Sequence, residues 1–396
     1  MWLYNLGISL YAGGIRLAAL WHGKARLWSE GRRNIFERME AAVRPSDRIV
    51  WVHAASLGEF EQARPIIERL RAEHPEYKIL LTFFSPSGYE IRKNYEGADY
   101  VFYLPADTPS NARRFLDIVH PEIAIFIKYE FWINLLSELR RRKVRSYIVS
   151  AIFRRNSVFF RPYGAMWRQA LETFDTLFVQ NVESKRLLSE IGFDNVVVAG
   201  DTRFDRVAQI AAAAQRVETI ERFRGGGRLF VAGSTWGPDE EILLPLVNAN
   251  PDVKFVIAPH EMDEGRIAHL MRDAKGGAVR YTQCDAATRF DDVQVLVLDT
   301  MGMLSSVYGS ATWAYVGGGF GVGIHNTLEA ATFGLPIAFG PNYGKFKEAR
   351  DMVSLGCAVS VRTAGELAAW FAPLRDDEET LRRASRTAKD YTARNQ

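Results

Sequence analysis

From Arg48 onward the chain alternates short apolar runs with longer stretches in which apolar residues recur at helical spacing, the pattern of a parallel sheet with crossover helices. A first series of strands is predicted at residues 49–52, 78–82, 100–103, 123–127, 146–150 and 177–179, with helices such as 61–73 and 131–142 between them. A fresh series opens at 196–199, continues at 229–232, 254–258, 295–297, 313–316 and 336–339, and ends in charged helical sequence. Between the two lie an alanine-rich helix, 208–215, and a Gly225-Gly226-Gly227 turn, neither long enough for a disordered linker. The expectation is an α/β chain of two Rossmann-like domains facing across a cleft, with ligands at the carboxyl ends of both sheets. Residues 1–30 form an N-terminal segment, 31–200 the first domain, 201–375 the second, and 376–396 a C-terminal helix that could return to the first domain. No internal repeat is found.

Residues 1–21 carry Arg16 as their only charge and are followed by Lys24, Arg26, Arg32, Arg33 and Arg38. Trp2, Tyr4, Tyr11, Trp21 and Trp28 suit the headgroup level of a bilayer, so the segment reads as a membrane-associated helix; an amphipathic helix packed on the body is the plainer alternative. A secretory signal would carry its positive charge before the apolar run and a cleavage site after it. With the basic flank, the rest of the chain is expected on the cytoplasmic side.

With 396 residues, 47% of them apolar, the chain can bury two cores. A net charge of +3 with acids scattered among the bases argues against nucleic acid as a partner. The two cysteines, Cys284 and Cys357, form no CxxC, and no histidines cluster with them; neither a disulfide framework nor a zinc site is suggested.

The densest candidate chemistry follows the strand at 314–316, in Gly317-Gly318-Gly319-Phe320-Gly321-Val322-Gly323 and then His325-Asn326-Thr327-Leu328-Glu329. Glycines let a backbone approach a ligand, and a helix starting near Asn326 would aim free N–H groups at anionic oxygens. Glu329, one turn inside, suits the paired hydroxyls of a ribose. The acid follows the glycines within one helix, unlike the dinucleotide fingerprint, which favours a nucleotide-sugar site.

Other loops fall at the same sheet ends. Ser56, Gly58 and Glu59 follow the first strand; Glu59 could take a proton from an attacking hydroxyl, or be a helix-start acid favoured by the dipole, while His53 reads as a packed strand-end residue. Lys128 and Glu130 could be a structural pair or a functional one, and Ser85 sits in a polar loop suited to acceptor hydroxyls or to a plain turn. Ser234 and Thr235 open a helix, as cap residues or anion ligands. Pro259-His260 and Met301-Gly302-Met303 end or follow further strands, and Arg203 could stabilise a departing phosphate or form an interdomain salt bridge.

Taken in order, the apolar amino terminus, Ser56-x-Gly58-Glu59, Lys128-x-Glu130-x-Trp132, Gly233-Ser234-Thr235, Ala258-Pro259, Asp299-Thr300-Met301-Gly302 and the Gly317 to Glu329 block resemble the 3-deoxy-D-manno-octulosonic acid (Kdo) transferases. These are inner-membrane enzymes of the glycosyltransferase B fold that move Kdo from CMP-Kdo to a lipid A precursor. The resemblance implies Glu59 as general base of an inverting transfer, Glu130 in transition-state stabilisation, and Arg203 where the family usually has lysine. It implies CMP contacts from Pro259, His260, Met301, Gly302, Met303, Asn326, Thr327, Leu328 and Glu329. Ser234, Thr235, Gly318 and Gly319 would hold the donor sugar and phosphate, with Ser56, Gly58, Ser85 and Lys128 on the acceptor side. No metal or other cofactor is implied. The sequence departs from the family at Trp236, usually histidine, His260, usually arginine, and Met303, usually glutamate. The alternative is a UDP-sugar 2-epimerase or hydrolase, or another glycosyltransferase of that fold.

Overall fold

The computed structural model describes residues 1–395. The chain forms two compact units, Met1–Arg206 and the residues from Val207 onward.

The first unit is built on a parallel sheet of β1 (Ile49–His53), β2 (Lys78–Phe83), β3 (Tyr100–Tyr103), β4 (Ile123–Ile127), β5 (Arg145–Ala151), β6 (Thr176–Val179) and β7 (Val196–Val198), in the order β3-β2-β1-β4-β5-β6-β7. Every residue of β1 is buried, and alternate side chains feed opposite cores. Ile49 and Trp51 join Phe115 and Phe126 on one face, while Val50 and Val52 join Phe60 and Phe83 on the other. Such a strand reads as a continuous apolar run because it is covered on both sides. The 196–199 run, expected to open the second series, instead pairs with β6 through Leu177 and Val196 as the edge of the first sheet. Its apolar run carries no mark of the sheet it joins.

Four helices precede or follow β1: α1 (Trp2–Ala18), α2 (Gly23–Gly31), α3 (Ile35–Ala42) and α4 (Leu57–Glu73). On α1, the Tyr4 hydroxyl donates to Asp107 at 2.7 Å, the Asn5 side-chain oxygen accepts from Asn134 at 2.9 Å, and Tyr11 stacks on Phe84. Its other face, with the turn that follows, leaves Trp2, Leu3, Leu10, Leu17, Leu20 and Trp21 between 60% and 71% exposed. The helix thus packs on the body of the unit along one side and leaves an apolar surface uncovered on the other. Among the described residues no helix is long and apolar enough to cross a membrane.

The second unit holds β8 (Leu229–Thr235), β9 (Lys254–Pro259), β10 (Ala278–Arg280), β11 (Val295–Val297), β12 (Trp313–Val316), β13 (Ile337–Phe339) and β14 (Ala358–Ser360), parallel in the order β10-β11-β9-β8-β12-β13-β14. The two edges, β10 and β14, span three residues each and are partly exposed, which is why no apolar run announces them. The helix Glu378–Arg394, which the sequence could send back to the first domain, packs instead within the second unit on the helices Leu328–Thr332, Lys347–Leu355 and Ala364–Asp376.

In each sheet the chain runs outward to one edge and then returns to the other side of the strand it began on. The switch points lie between β1 and β4 and between β8 and β12. At such a point the loops after the two central strands diverge and leave a crevice for ligand.

Candidate active site

At the first switch point, β1 ends in His53 and turns through Ala54, Ala55 and Ser56 into α4. Ser56 occupies the N-cap in extended conformation, and Glu59 in the first turn reaches back so that its Oε2 accepts the Ala55 N–H at 2.6 Å. The helix-start role is therefore real. A Cβ on Gly58 would meet nothing within 4 Å, so no protein atom demands glycine there and the space is open. The Glu59 carboxyl is pushed up to about 7, first by burial and then by the negative charge of Glu130, against the Ala55 and Ser56 N–H groups and the Lys128 ammonium.

Glu130 comes from the other side of the switch point. Lys128, at the end of β4, adopts a left-handed conformation (φ 67). Beyond it, Glu130 Oε2 accepts from Trp132 Nε1 at 2.7 Å and lies 3.1 Å from His53 Nε2. His53 is wholly buried, a packed strand-end histidine as read from the sequence, but one that faces the acid pair. Ser85 caps the helix Pro86–Arg92, its Oγ accepting the Ser87 N–H at 3.3 Å.

Arg203, assigned by sequence to the second domain, belongs to the first unit. The boundary falls several residues later because Asp201 and its neighbours are tied to α4: Asp201 accepts from Gln62 Nε2 at 2.8 Å, and the Thr202 hydroxyl donates to the Gln62 carbonyl at 2.7 Å. The Arg203 Nε and Nη2 reach Asp201 Oδ2 at 2.9 and 2.8 Å. Burial works against the Asp201 charge, but Arg203 and Gln62 hold its carboxyl below the ordinary range. The salt bridge foreseen as interdomain is thus made within one unit.

At the second switch point the loop after β8 and the loop after β12 are stitched together by Asp239. Fully buried, it accepts from the Trp236 N–H at 2.9 Å, the Gly318 N–H at 3.0 Å and the Tyr315 hydroxyl at 2.7 Å. Burial pushes its carboxyl up, against those three donors. Its signal was present in the sequence as an acid three residues after Trp236, the spacing of a capping box. Ser234 is left-handed (φ 54), and the buried Thr235 hydroxyl donates to Glu240 at 2.8 Å.

The glycines of this loop answer to packing. A Cβ on Gly317 would lie 2.2 Å from the Ser234 carbonyl oxygen; on Gly318 (φ +89), 2.7 Å from that of Gly323; on Gly319, 2.6 Å from Gly340 Cα. Close approach of the chain to itself is therefore enough to require glycine at Gly318 and Gly319, both of which are buried.

The helix expected from Asn326 starts at Leu328 and spans five residues, Leu328–Thr332, with Thr327 at its N-cap. Asn326 Oδ1 accepts the Leu328 N–H at 3.1 Å, and its amide donates to Glu329 Oε1 at 3.0 Å. Ser305 donates to Glu329 Oε2 at 3.1 Å. Met301 is 79% exposed, Gly302 is left-handed (φ 83), and the Met303 sulfur accepts from Thr300. Pro259 closes β9, and the exposed His260 donates its backbone N–H to the Thr235 carbonyl at 2.9 Å. The His260 ring is stacked between Trp236 and His325, with centroids at 4.8 and 4.3 Å, and Trp236 Nε1 donates to His325 Nε2 at 3.2 Å. Burial and the neighbouring His260 lower the proton affinity of His325.

Two Rossmann-like units in one chain, each with its polar residues at a switch point, define an α/β enzyme of the glycosyltransferase B architecture. A UDP-N-acetylglucosamine 2-epimerase shares this fold over 88% of this chain and 93% of its own with a TM-score of 0.59 at 13% identity, as does the Neisseria meningitidis enzyme bound to UDP-GlcNAc, over 88% and 99%, at 0.59 and 15%. The sequence model described as 3-deoxy-D-manno-octulosonic-acid transferase (kdotransferase) matches residues 32–206. Curated 3-deoxy-D-manno-octulosonic acid transferases are similar over most of their length: that of Bordetella pertussis is 28% identical over 87% of this chain and 83% of its own, and that of Aquifex aeolicus 26% over 80% and 83%. The chain is thus similar to the Kdo transferases over most of its length, and its residues 32–206 match their sequence model.

Proposed function

We propose that the protein is an inverting glycosyltransferase of lipopolysaccharide synthesis that moves Kdo from CMP-Kdo to a lipid A precursor, with Glu59 as general base. The family match supports the transferase class over 2-epimerase chemistry, since the epimerase structures share the fold at only 13% and 15% identity. The observation that carries the role of Glu59 is a carboxyl pushed up to about 7 beside Glu130 at the first switch point. A base whose proton affinity lies near the working pH is both largely ionised and able to hold a proton.

In this reading the acceptor hydroxyl gives its proton to Glu59 as its oxygen bonds to the anomeric carbon, and the bond from that carbon to the phosphate oxygen breaks to release CMP. Glu130 supplies negative charge to the oxocarbenium-like centre, and Arg203, aligned by Asp201, offers positive charge to the leaving phosphate. CMP contacts fall to Pro259, His260, Met301, Gly302, Met303 and residues 326–329, with Glu329 on the ribose, oriented by Asn326 and Ser305. Ser234, Thr235, Gly318 and Gly319 border the donor sugar and phosphate, and Ser56, Gly58, Ser85 and Lys128 the acceptor. A single phosphate leaving with one cation beside it needs no metal in this scheme. The exposed face of α1, flanked by the exposed Lys24, Arg26 and Arg33, suits the cytoplasmic surface of the inner membrane.

Incubation with CMP-Kdo and a lipid A precursor tests the reading. Wild-type protein is expected to release CMP and yield the Kdo-bearing lipid by mass, and Glu59→Ala to lose at least ~10²-fold in rate. Absence of CMP release from wild type would overturn the function, and undiminished release from Glu59→Ala would overturn the role of the base.

A further inference from the structure

A second polar constellation surrounds a cavity of about 770 Å3 framed by the end of α1, by α2, by the start of α3 and by Pro105 and Ala106 after β3. Arg16, Arg26, Arg32 and Arg33 line it against two carboxylates, Glu30 and Glu37. Glu37 is engaged by Arg114 at 3.5 Å, whereas none of the four arginines makes an ion pair among the described residues. Arg32 is the extreme case. Its guanidinium lies 3.9 Å from the centre of the Trp28 ring and donates to carbonyls alone, those of Leu104 and Phe84 at 2.8 Å and of Trp28 at 3.1 Å. Burial lowers its proton affinity to about 9, as expected of a cation enclosed without a counter-ion.

The same cavity holds donors with nothing to donate to. Trp28 Nε1 and Ser29 Oγ are both buried and have no hydrogen-bond partner among the described residues. The first turn of α3 borders the cavity as well, and its N-cap, Asn34, makes no side-chain cap hydrogen bond to it. Buried polar groups are as a rule paired, because an empty donor costs free energy. Cations, orphaned donors and an uncapped helix start in one enclosure suit a multiply charged oxyanion. What carries that anion is indicated by Leu20, which lines the cavity, is 71% exposed and continues the uncovered apolar face of α1. A phosphate borne on an acyl chain would meet both surfaces. Four guanidinium groups against two carboxylates match a phosphomonoester, with a charge of about −2 near neutral pH, better than a phosphodiester.

Resting on the proposed seating of α1 on the membrane, we propose that this cavity binds the phosphomonoester headgroup of a membrane lipid. Arg16, Arg26 and Arg33 neutralise its charge, while Trp28 Nε1, Ser29 Oγ and the start of α3 donate to its oxygens. The cavity is separate from the acid pair but lies at the same end of the first sheet, since Phe84 and Leu104 directly follow β2 and β3. The Phe84 ring links the two places, 5.9 Å from that of Trp28 and 4.6 Å from that of Trp132, the donor to Glu130. A lipid held there keeps the Glu59 end of the unit at the bilayer surface.

The test is co-sedimentation of the full chain with phosphatidylcholine vesicles that carry either phosphatidate, a phosphomonoester, or phosphatidylglycerol, a phosphodiester, at equal surface charge. Wild type is expected to bind the phosphatidate vesicles about five-fold or more tightly. Arg33→Gln and Ser29→Ala should bring the two affinities together. Trp28→Phe, which keeps a ring beside Arg32 and loses the indole N–H, should do the same; the other two variants, at an exposed and a half-buried position, carry the test if this one does not fold. Lys24→Gln removes an exposed charge outside the cavity and is expected to weaken both affinities alike, leaving the preference intact. Inorganic phosphate at micromolar concentration should leave vesicle binding unchanged; saturable calorimetric binding of it there would assign the cavity to a soluble phosphate and overturn the lipid source. Undiminished vesicle binding by Leu3→Ser/Leu10→Ser protein would overturn the seating of α1 and leave the cavity to its own result. Equal binding of wild type to the two vesicles, or a preference that survives Arg33→Gln and Ser29→Ala, overturns the proposal.

Discussion

Glu59 answers to two opposed demands, since its Oε2 anchors the start of α4 through the Ala55 N–H while burial and Glu130 favour its protonated form. For catalysis the carboxylate is the active species, so kcat/KM is expected to rise with pH through about 7 and then level, measured as CMP release between pH 5 and 9. For stability the sign reverses. A carboxyl raised from 4.5 to about 7 on folding stabilises the fold when protonated, fully below 4.5, and that contribution is lost as pH rises through about 7. Glu59→Gln should therefore raise the melting temperature at pH 8, by the equivalent of about 1 kcal/mol, and bring no such gain at pH 4. Residue type and position made Glu59 legible as a candidate, since an acid after a strand and a Gly58 turn stands at the ligand-binding end of a sheet. The surroundings of His53 were not legible in the same way: it contacts Thr82 and Glu130, which are distant in sequence and meet only once β1, β2 and β4 are paired.

At the scale of elements, the strands at 100–103, 123–127, 295–297 and 313–316 fall where the apolar runs place them, because buried parallel strands need uninterrupted apolar sequence. What the runs do not encode is membership. Val196–Val198 looks like the start of a new series, but its backbone pairs with β6. The glycine loop after β12 shows a different ambiguity, for a glycine demanded by a ligand and one demanded by a neighbouring backbone look identical in sequence. Here Gly319 abuts Gly340, so Gly319→Ala should destabilise the second unit by about 1–3 kcal/mol in denaturant unfolding. Asp239→Ala strips three donors of their acceptor and should cost a similar ~1–3 kcal/mol or more while weakening CMP binding by calorimetry, because Trp236 and Gly318 lose their common anchor. An unchanged CMP affinity in a folded Asp239→Ala protein would separate that anchor from the donor site.

For the whole molecule, the sequence conveyed two α/β units and an apolar amino terminus, but could not say how far α1 is covered. The answer depends on Tyr4, Asn5 and Tyr11 finding Asp107, Asn134 and Phe84 in the body of the first unit. Replacing Leu3 and Leu10 with serine should therefore leave the melting temperature close to wild type while sharply reducing co-sedimentation with anionic phospholipid vesicles, since these side chains are 66% and 67% exposed. Retained vesicle binding would place the membrane contact elsewhere. The same face governs how the purified protein behaves as a colloid. With no lipid over it, an apolar strip of this kind is removed from water by the next available hydrocarbon, and in a concentrated detergent-free solution that is the strip on another copy. Apparent mass in such a buffer should climb with concentration and fall back when a mild detergent is added, so particle size there would report on the wetting of one helix and not on a functional assembly.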